Sequence, residues 1–205
     1  LPRQAEQVRQ AHAVPCLVRS MIGPDDYRRI FAYNRQVLEA FTRKLERLPW
    51  AVVSKEREAG WHSMAGTLNH IVRVYDGWVN YVIQGTIADE RMMRRSWSSL
   101  TSMKEVRASL EKTWAGIEPY MDRLTERELR RMVRAEWQPK ACPVADALMQ
   151  VTLEQAHHVG EIIAMLWEDD LRPPEMTWLG THWVLEDLAR KRHARAGRRA
   201  SHRNP

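Results

Sequence analysis

Apolar positions recur every three or four residues over four long stretches of the chain, the period of an α-helix packed on one side. The first stretch follows Pro24-Asp25-Asp26, whose acids suit a helix N-terminus. Its stripe reads Tyr27, Ile30, Phe31, Val37, Leu38, Phe41, Leu45 and Leu48, and Pro49 ends it. The second begins after Ser63, a good N-cap, and runs to about Gly85 with Leu68, Ile71, Val72, Tyr75, Trp78, Val79 and Val82 on one face. The third starts at Ser102, with Glu105 placed to complete a capping box, and reaches about Leu124, with a kink expected at Pro119. The fourth opens at Pro143, a favoured first helical position, and ends near Asp170, before Pro173-Pro174. Shorter helices are expected over 3–13 and 181–195, residues 125–140 read as a partly regular polar connection, and no run alternates as a strand does. The pattern predicts an all-α fold, a four-helix bundle with extra terminal helices. It divides the chain into an N-terminal extension (1–23), a bundle domain (24–188) and a C-terminal tail (189–205).

Composition leaves that picture intact. Apolar residues at 44% and charged residues at 28% exclude a disordered chain, and 205 residues suffice for one well-filled core. No run approaches the roughly 20 apolar residues that cross a bilayer. The opening Leu1-Pro2-Arg3-Gln4-Ala5-Glu6-Gln7 is polar where a secretory leader would turn apolar, which points to the cytoplasm. Cys16 and Cys142 are not spaced as a metal knuckle or a redox pair, and each reads as a reduced, small apolar residue.

Charge does change the picture. Seven of the 32 basic residues lie between Ala189 and Pro205, with no acid among them, so 25 basic and 26 acidic residues remain in the body, a net of −1. The formal +6 therefore belongs to a tail rather than to a binding face. Such a tail gives at most weak, salt-sensitive contact with nucleic acid, and otherwise a solvated C-terminus.

The chemistry concentrates in the fourth stretch, at Glu154-Gln155-Ala156-His157-His158-Val159-Gly160-Glu161. Glu154 and His158 interrupt an apolar stripe through Ala147, Val151, Ile162 and Met165, and four residues apart they stack one turn above the other. Turned toward a core, a carboxylate and an imidazole need partners. They can pair with each other, or they can share a divalent cation that both ligate. A third ligand must then come from another helix, and His70 in Thr67-Leu68-Asn69-His70-Ile71-Val72 is the candidate. His157 lies about 100° around the helix from His158 and reads as a flanking residue. Asn34 falls on the first stripe, either as a pocket group or bonded to a backbone carbonyl, and Trp78 is a candidate pocket wall. Glu161 is either a surface acid or a general base; no catalytic residue is otherwise legible. No phosphate loop and no nucleophile triad is present.

Three segments carry a family resemblance. Phe31-Ala32-Tyr33-Asn34, then Leu68-Asn69-His70-Ile71 followed by Trp78, then His157-His158-Val159-Gly160-Glu161, resemble in order and spacing the elements of the DinB-like (YfiT-like) metal-binding four-helix bundles. That family includes metal-dependent thiol S-transferases and mycothiol-dependent maleylpyruvate isomerases. The resemblance implies His70 and His158 as metal ligands, with Asn34, Trp78, His157 and Glu161 around the pocket. It implies a divalent ion (Zn, Ni, Fe or Mn), a low-molecular-weight thiol, a small-molecule substrate and a homodimer. The family's usual third histidine is here Glu154. Two His and one carboxylate still form a ligand set, with one unit less positive charge, or the site has lost its metal and Glu154 pairs with His158. The expected activity is S-transferase-like or hydrolase-like, and the alternative is a non-catalytic bundle that binds a ligand or partner.

Overall fold

Pro24, Asp25 and Asp26 start a helix over Pro24–Glu46 (α1), where the Asp26 carboxylate accepts from the Gly23 N–H at 3.0 Å. The computed structural model describes residues 22–179. The helices expected over 3–13 and 181–195, the basic tail, Cys16, and His12, His182, His193 and His202 lie outside the described residues. A short helix, Trp50–Val53 (α2), follows the break at Pro49. Ser63 caps Met64–Tyr75 (α3), its hydroxyl accepting from the Gly66 N–H at 2.9 Å. After Glu90–Arg94 (α4) and a 3₁₀ turn come Met103–Asp122 (α5) and Glu126–Leu129 (α6). Met132–Val133 (β1) pairs antiparallel with Cys142–Pro143 (β2), and Val144–Glu168 (α7) completes the described chain.

Side-chain pairs fix the helix directions. Tyr27 donates to the Ala145 carbonyl and Asn34 to Thr152, 118 residues on in both cases, so α1 and α7 run parallel. Tyr75 meets Gln155 and His70 meets His158, so α3 and α7 are antiparallel. Arg28 donates to the Met121 carbonyl while Arg107 bonds Glu46, so α5 opposes α1. The order is up-down-down-up, with the α3-to-α5 connection crossing from one end of the bundle to the other. The core runs through it from Phe31, Phe41 and Leu45 to Tyr75, Trp114, Leu148 and Ile162.

Four details depart from the expectation. The second long helix is α-helical only to Tyr75 and continues as a π-helix over Asp76–Ile83. There the buried Asp76 carboxylate accepts from Asn80 at 2.8 Å and from the N–H groups of Ala88 and Asp89 at 2.9 and 3.1 Å. Those long-range bonds repay the wider turn, and a heptad-like pattern gives no sign of them. Ser102 makes no side-chain cap; Glu105 instead accepts from the Thr101 N–H and from Arg95. Pro143 precedes the first helical residue and sits in β2. Two-residue strands are too short to show any alternation, which is why 125–140 gives no strand signal.

Candidate metal centre

At 100° per residue, Glu154, His158 and Glu161 fall on the side of α7 that faces the start of α3. His158 is buried, while Glu154 and Glu161 are half-buried on either side of it. Its Nδ1 lies 2.6 Å from Glu161 Oε2, and its Nε2 lies 3.2 Å from Glu154 Oε2. From α3, the His70 ring meets the His158 ring edge-on, with centroids 4.7 Å apart. One ligand atom each from His70, Glu154 and His158 lies within 4.8 Å of the others.

Two neighbours orient the cluster. Gln150, one turn before Glu154, donates to Glu154 Oε1 at 2.8 Å and leaves Oε2 toward His158. Glu161 carries both neighbouring histidines, since its Oε1 lies 3.3 Å from Nε2 of the exposed His157. Burial, then His158 and Arg73, lower the pKa of His70 to about 4, so its ring is neutral and keeps a lone pair to offer.

The chemistry of His158 is the informative part. A neutral imidazole has one ring proton. A carboxylate at Nδ1 takes it as a hydrogen bond, and the bare Nε2 then faces a second carboxylate oxygen. Lone pair against lone pair at 3.2 Å requires positive charge between them. A second ring proton provides it, or a cation shared by Nε2, Glu154 and His70 does. The donor set thus fits a divalent metal on this structure's own terms.

A loop walls the site on one side. Trp61 stacks on His70, with centroids 4.1 Å apart and planes 18° from parallel, and its backbone N–H donates to Thr67 Oγ1 at 3.0 Å. Gly60 takes a left-handed φ of 59°, and a Cβ there would come 2.9 Å from Glu161 Oε2 and 2.6 Å from Thr67 Oγ1. Only glycine lets the loop press against the acid. Arg57 holds the loop to the end of α7 by pairing with Asp169.

The other expected residues lie further out. Asn34 is buried in a network that ties three helices: its side-chain amide donates to Thr152, its main-chain carbonyl accepts from the Gln155 side chain at 3.1 Å, and Gln155 in turn accepts from Tyr75 at 2.8 Å. That network fixes the rotation of α7 one residue from Glu154. Trp78 packs edge to face on Trp137, with centroids 5.6 Å apart. His62 is exposed, and its carbonyl accepts from the Arg57 N–H. Sequence reasoning missed Trp61, Gln150 and Gln155. Gln150 was within reach as the i−4 neighbour of Glu154, whereas Trp61 sits in a loop with no periodicity to reveal it.

A four-helix bundle holding a two-histidine, one-carboxylate cluster between two antiparallel helices belongs to the class of candidate metal-binding bundles. The sequence profile of the DinB superfamily matches residues 31–162, and the chain belongs to that superfamily. The crystal structure of a DinB-like protein from Bacillus cereus ATCC 10987 superposes with a TM-score of 0.60 at 18% identity, over 76% of this chain and 99% of that one. This likeness speaks to the fold. An uncharacterized protein from Clostridium difficile 630 matches at 13% identity with a TM-score of 0.49, over 72% of this chain and 96% of that one. A protein from Streptococcus pneumoniae matches at 16% identity with a TM-score of 0.48, over 75% and 94%. No curated protein matches the chain. Among the described residues, no helix is long and apolar enough to cross a membrane.

Proposed function

We infer that the protein is a divalent-metal-dependent enzyme acting on a small-molecule electrophile through a coordinated thiol or water. The observation that carries this reading is His158, placed with each ring nitrogen against a carboxylate and with His70 beside it, so that one ligand atom each from His70, Glu154 and His158 lies within reach of a shared cation. A divalent ion held there supplies Lewis acidity, which lowers the pKa of a coordinated water or thiol toward neutrality.

The chain's own residues do the rest. His158, Glu154 and His70 would hold the ion, and a three-residue ligand set of this kind would leave room for a small ligand. Glu161 fixes the tautomer and direction of the His158 ring, and Gln150 fixes the carboxylate of Glu154. Trp61 covers one side of His70 and limits water there. The ligand set contains one carboxylate, Glu154, and Glu161 places a second beside it. Thiol transfer, as against hydrolysis, rests on the family resemblance. A second reading has its own support: a doubly protonated His158 between Glu154 and Glu161 satisfies the same contacts with no metal.

Elemental analysis by mass spectrometry separates the two readings, using protein purified without a metal-affinity step. The expected result is close to one divalent ion per chain in the wild type and none in His158→Ala or His70→Ala. Absence of metal after reconstitution with Zn, Ni, Mn and Fe(II) would sink the enzyme reading and favour the protonated pair.

Glu161 gives a graded check. Glu161→Ala removes the orienting acceptor, and metal affinity is expected to fall about 10- to 100-fold. Glu161→Gln keeps an acceptor for Nδ1–H and should lose less. A chelator competition titration reads both, and equal affinities for wild type and Glu161→Ala would show that Glu161 orients nothing.

A further inference from the structure

The body of the chain is close to neutral, yet its basic residues are not evenly spread. Between α4 and α5 lies a cavity of about 220 Å³ that shares no residue with the metal centre. Arg91 and Arg95 line it from α4, one turn apart. Lys104, Ala108 and Lys112 line it from α5, also at one-turn intervals, and the buried Met92 gives it an apolar floor. Four basic side chains thus face two acids, Asp89 and Glu105.

Both acids are already committed. Glu105 accepts from Arg95 at 2.8 Å and from the Thr101 N–H at 2.9 Å. Asp89 is 8% exposed and caps α4 by accepting from the Met92 N–H at 3.3 Å. Arg95 is committed as well, since its other nitrogens donate to the hydroxyl and the carbonyl of Ser99. The remaining three cations are not. Arg91 reaches Glu105 only at 3.6 Å and Lys112 reaches Asp89 only at 3.4 Å, both longer than a good charged hydrogen bond. Lys104 has no ion-pair partner among the described residues.

The α4 wall is held from the neighbouring helix. Arg73 of α3 donates to the carbonyls of Met93 and Arg95 at 2.7 and 3.1 Å. Asp76 accepts from the N–H groups of Ala88 and Asp89 at 2.9 and 3.1 Å. The backbone on both sides of Arg91 is therefore fixed before a ligand arrives, and binding has only side chains to order.

We propose that this cavity binds a small phosphate monoester with an apolar carbon end. Such a group carries close to two negative charges and three acceptor oxygens. It matches the excess of two cations and the three uncommitted donors, Arg91, Lys104 and Lys112. The buried carboxylate of Asp89 repels a phosphate from the floor, so the phosphate sits at the rim and the apolar end lies inward, on Met92 and Ala108. A membrane lipid would enter phosphate first and does not meet that polarity. The volume lies below the roughly 300–1,000 Å³ of pockets that enclose drug-sized molecules, so the ligand has on the order of ten non-hydrogen atoms.

Ligand-detected NMR titration of the full chain with phenyl phosphate, at physiological salt, tests the proposal. Saturable binding is expected with a Kd on the order of 1 mM. Inorganic phosphate and phenol, which each carry one half of the probe, should bind at least about tenfold more weakly. Lys104→Glu should weaken binding of the probe about 3- to 10-fold. Ala108→Trp fills the cavity without changing its charge and should abolish binding. Both positions are exposed, so the circular-dichroism spectrum and Tm of either variant should match those of the wild type. Lys140→Glu, at an exposed position outside the cavity, should bind as the wild type does, and so should His158→Ala. A probe that fails to saturate, or that is lost in His158→Ala and so sits at the metal centre, would overturn the proposal. It would also be overturned if either cavity variant bound like the wild type, if Lys140→Glu lost as much as Lys104→Glu, or if phosphate or phenol bound as tightly as the probe.

Discussion

Glu154→His is expected to retain a full complement of metal, while Glu154→Ala loses affinity by more than about 100-fold. The lower bound comes from orienting residues around metal sites, whose removal costs about 10- to 100-fold; a group that touches the ion should cost more. Histidine at 154 returns the three-imidazole set that the family resemblance suggests as the parent arrangement. Its side chain leaves the same point of α7, one turn before His158, and it exchanges a charged oxygen donor for a neutral nitrogen donor. The net charge of the loaded site rises by one unit, which should favour anionic ligands in the open positions. If Glu154 served only to balance a protonated His158, the order would differ: histidine would set two imidazoles face to face with no anion between them, and neither variant would bind metal. Dialysis against a chelator series followed by elemental analysis distinguishes the cases. Glu154→Ala holding metal as tightly as wild type would remove Glu154 from the ligand set.

Trp114→Ala should produce the largest loss of stability. Trp114 is 2% exposed on α5, and its ring packs against Tyr75 with centroids 4.5 Å apart. Truncating a buried aromatic ring to a methyl costs about 3–5 kcal/mol, because the lost transfer energy is compounded by a cavity that the neighbours fill only partly. Domains have about 5–15 kcal/mol in all, so a substantial share of the total goes. At roughly 2–4 °C per kcal/mol for a chain of this size, Tm should fall by about 6–20 °C. The effect should also reach the site. Tyr75 holds Gln155, which neighbours Glu154 on α7, so a Tyr75 ring that relaxes into the cavity loosens the rotation of the ligand helix. Thermal unfolding of metal-free protein at one fixed concentration measures the first effect, and a Tm shift below about 3 °C would contradict it. Chelator competition measures the second.

Much of the site is legible along the chain because helical spacing is a rigid ruler. Glu154 and His158 at i and i+4 must share a side of any helix that contains them. That Glu161 holds Nδ1 of His158 also follows one turn on, yet as a local pattern it is indistinguishable from a surface acid; burial of His158 decides between them. Asn34 shows the reverse limit. Its place on an apolar stripe demands hydrogen-bond partners, and spacing cannot say that these are Thr152 and Tyr75 rather than a ligand.

Spacing along the chain specified where the four long helices run, their buried faces and the shared side of Glu154 and His158, because these depend on residues a few positions apart, where backbone geometry is fixed. Tertiary structure alone decided that His70 meets His158 edge-on, that Trp61 stacks on His70, and that a left-handed Gly60 brings its loop against Glu161. It also decided the π-helix at Asp76, which is maintained by bonds to residues 12 and 13 positions away. The reason is common to all of these. Contacts between segments far apart in the chain depend on which helices neighbour one another and in which direction they run, and periodicity within one helix carries no information about either.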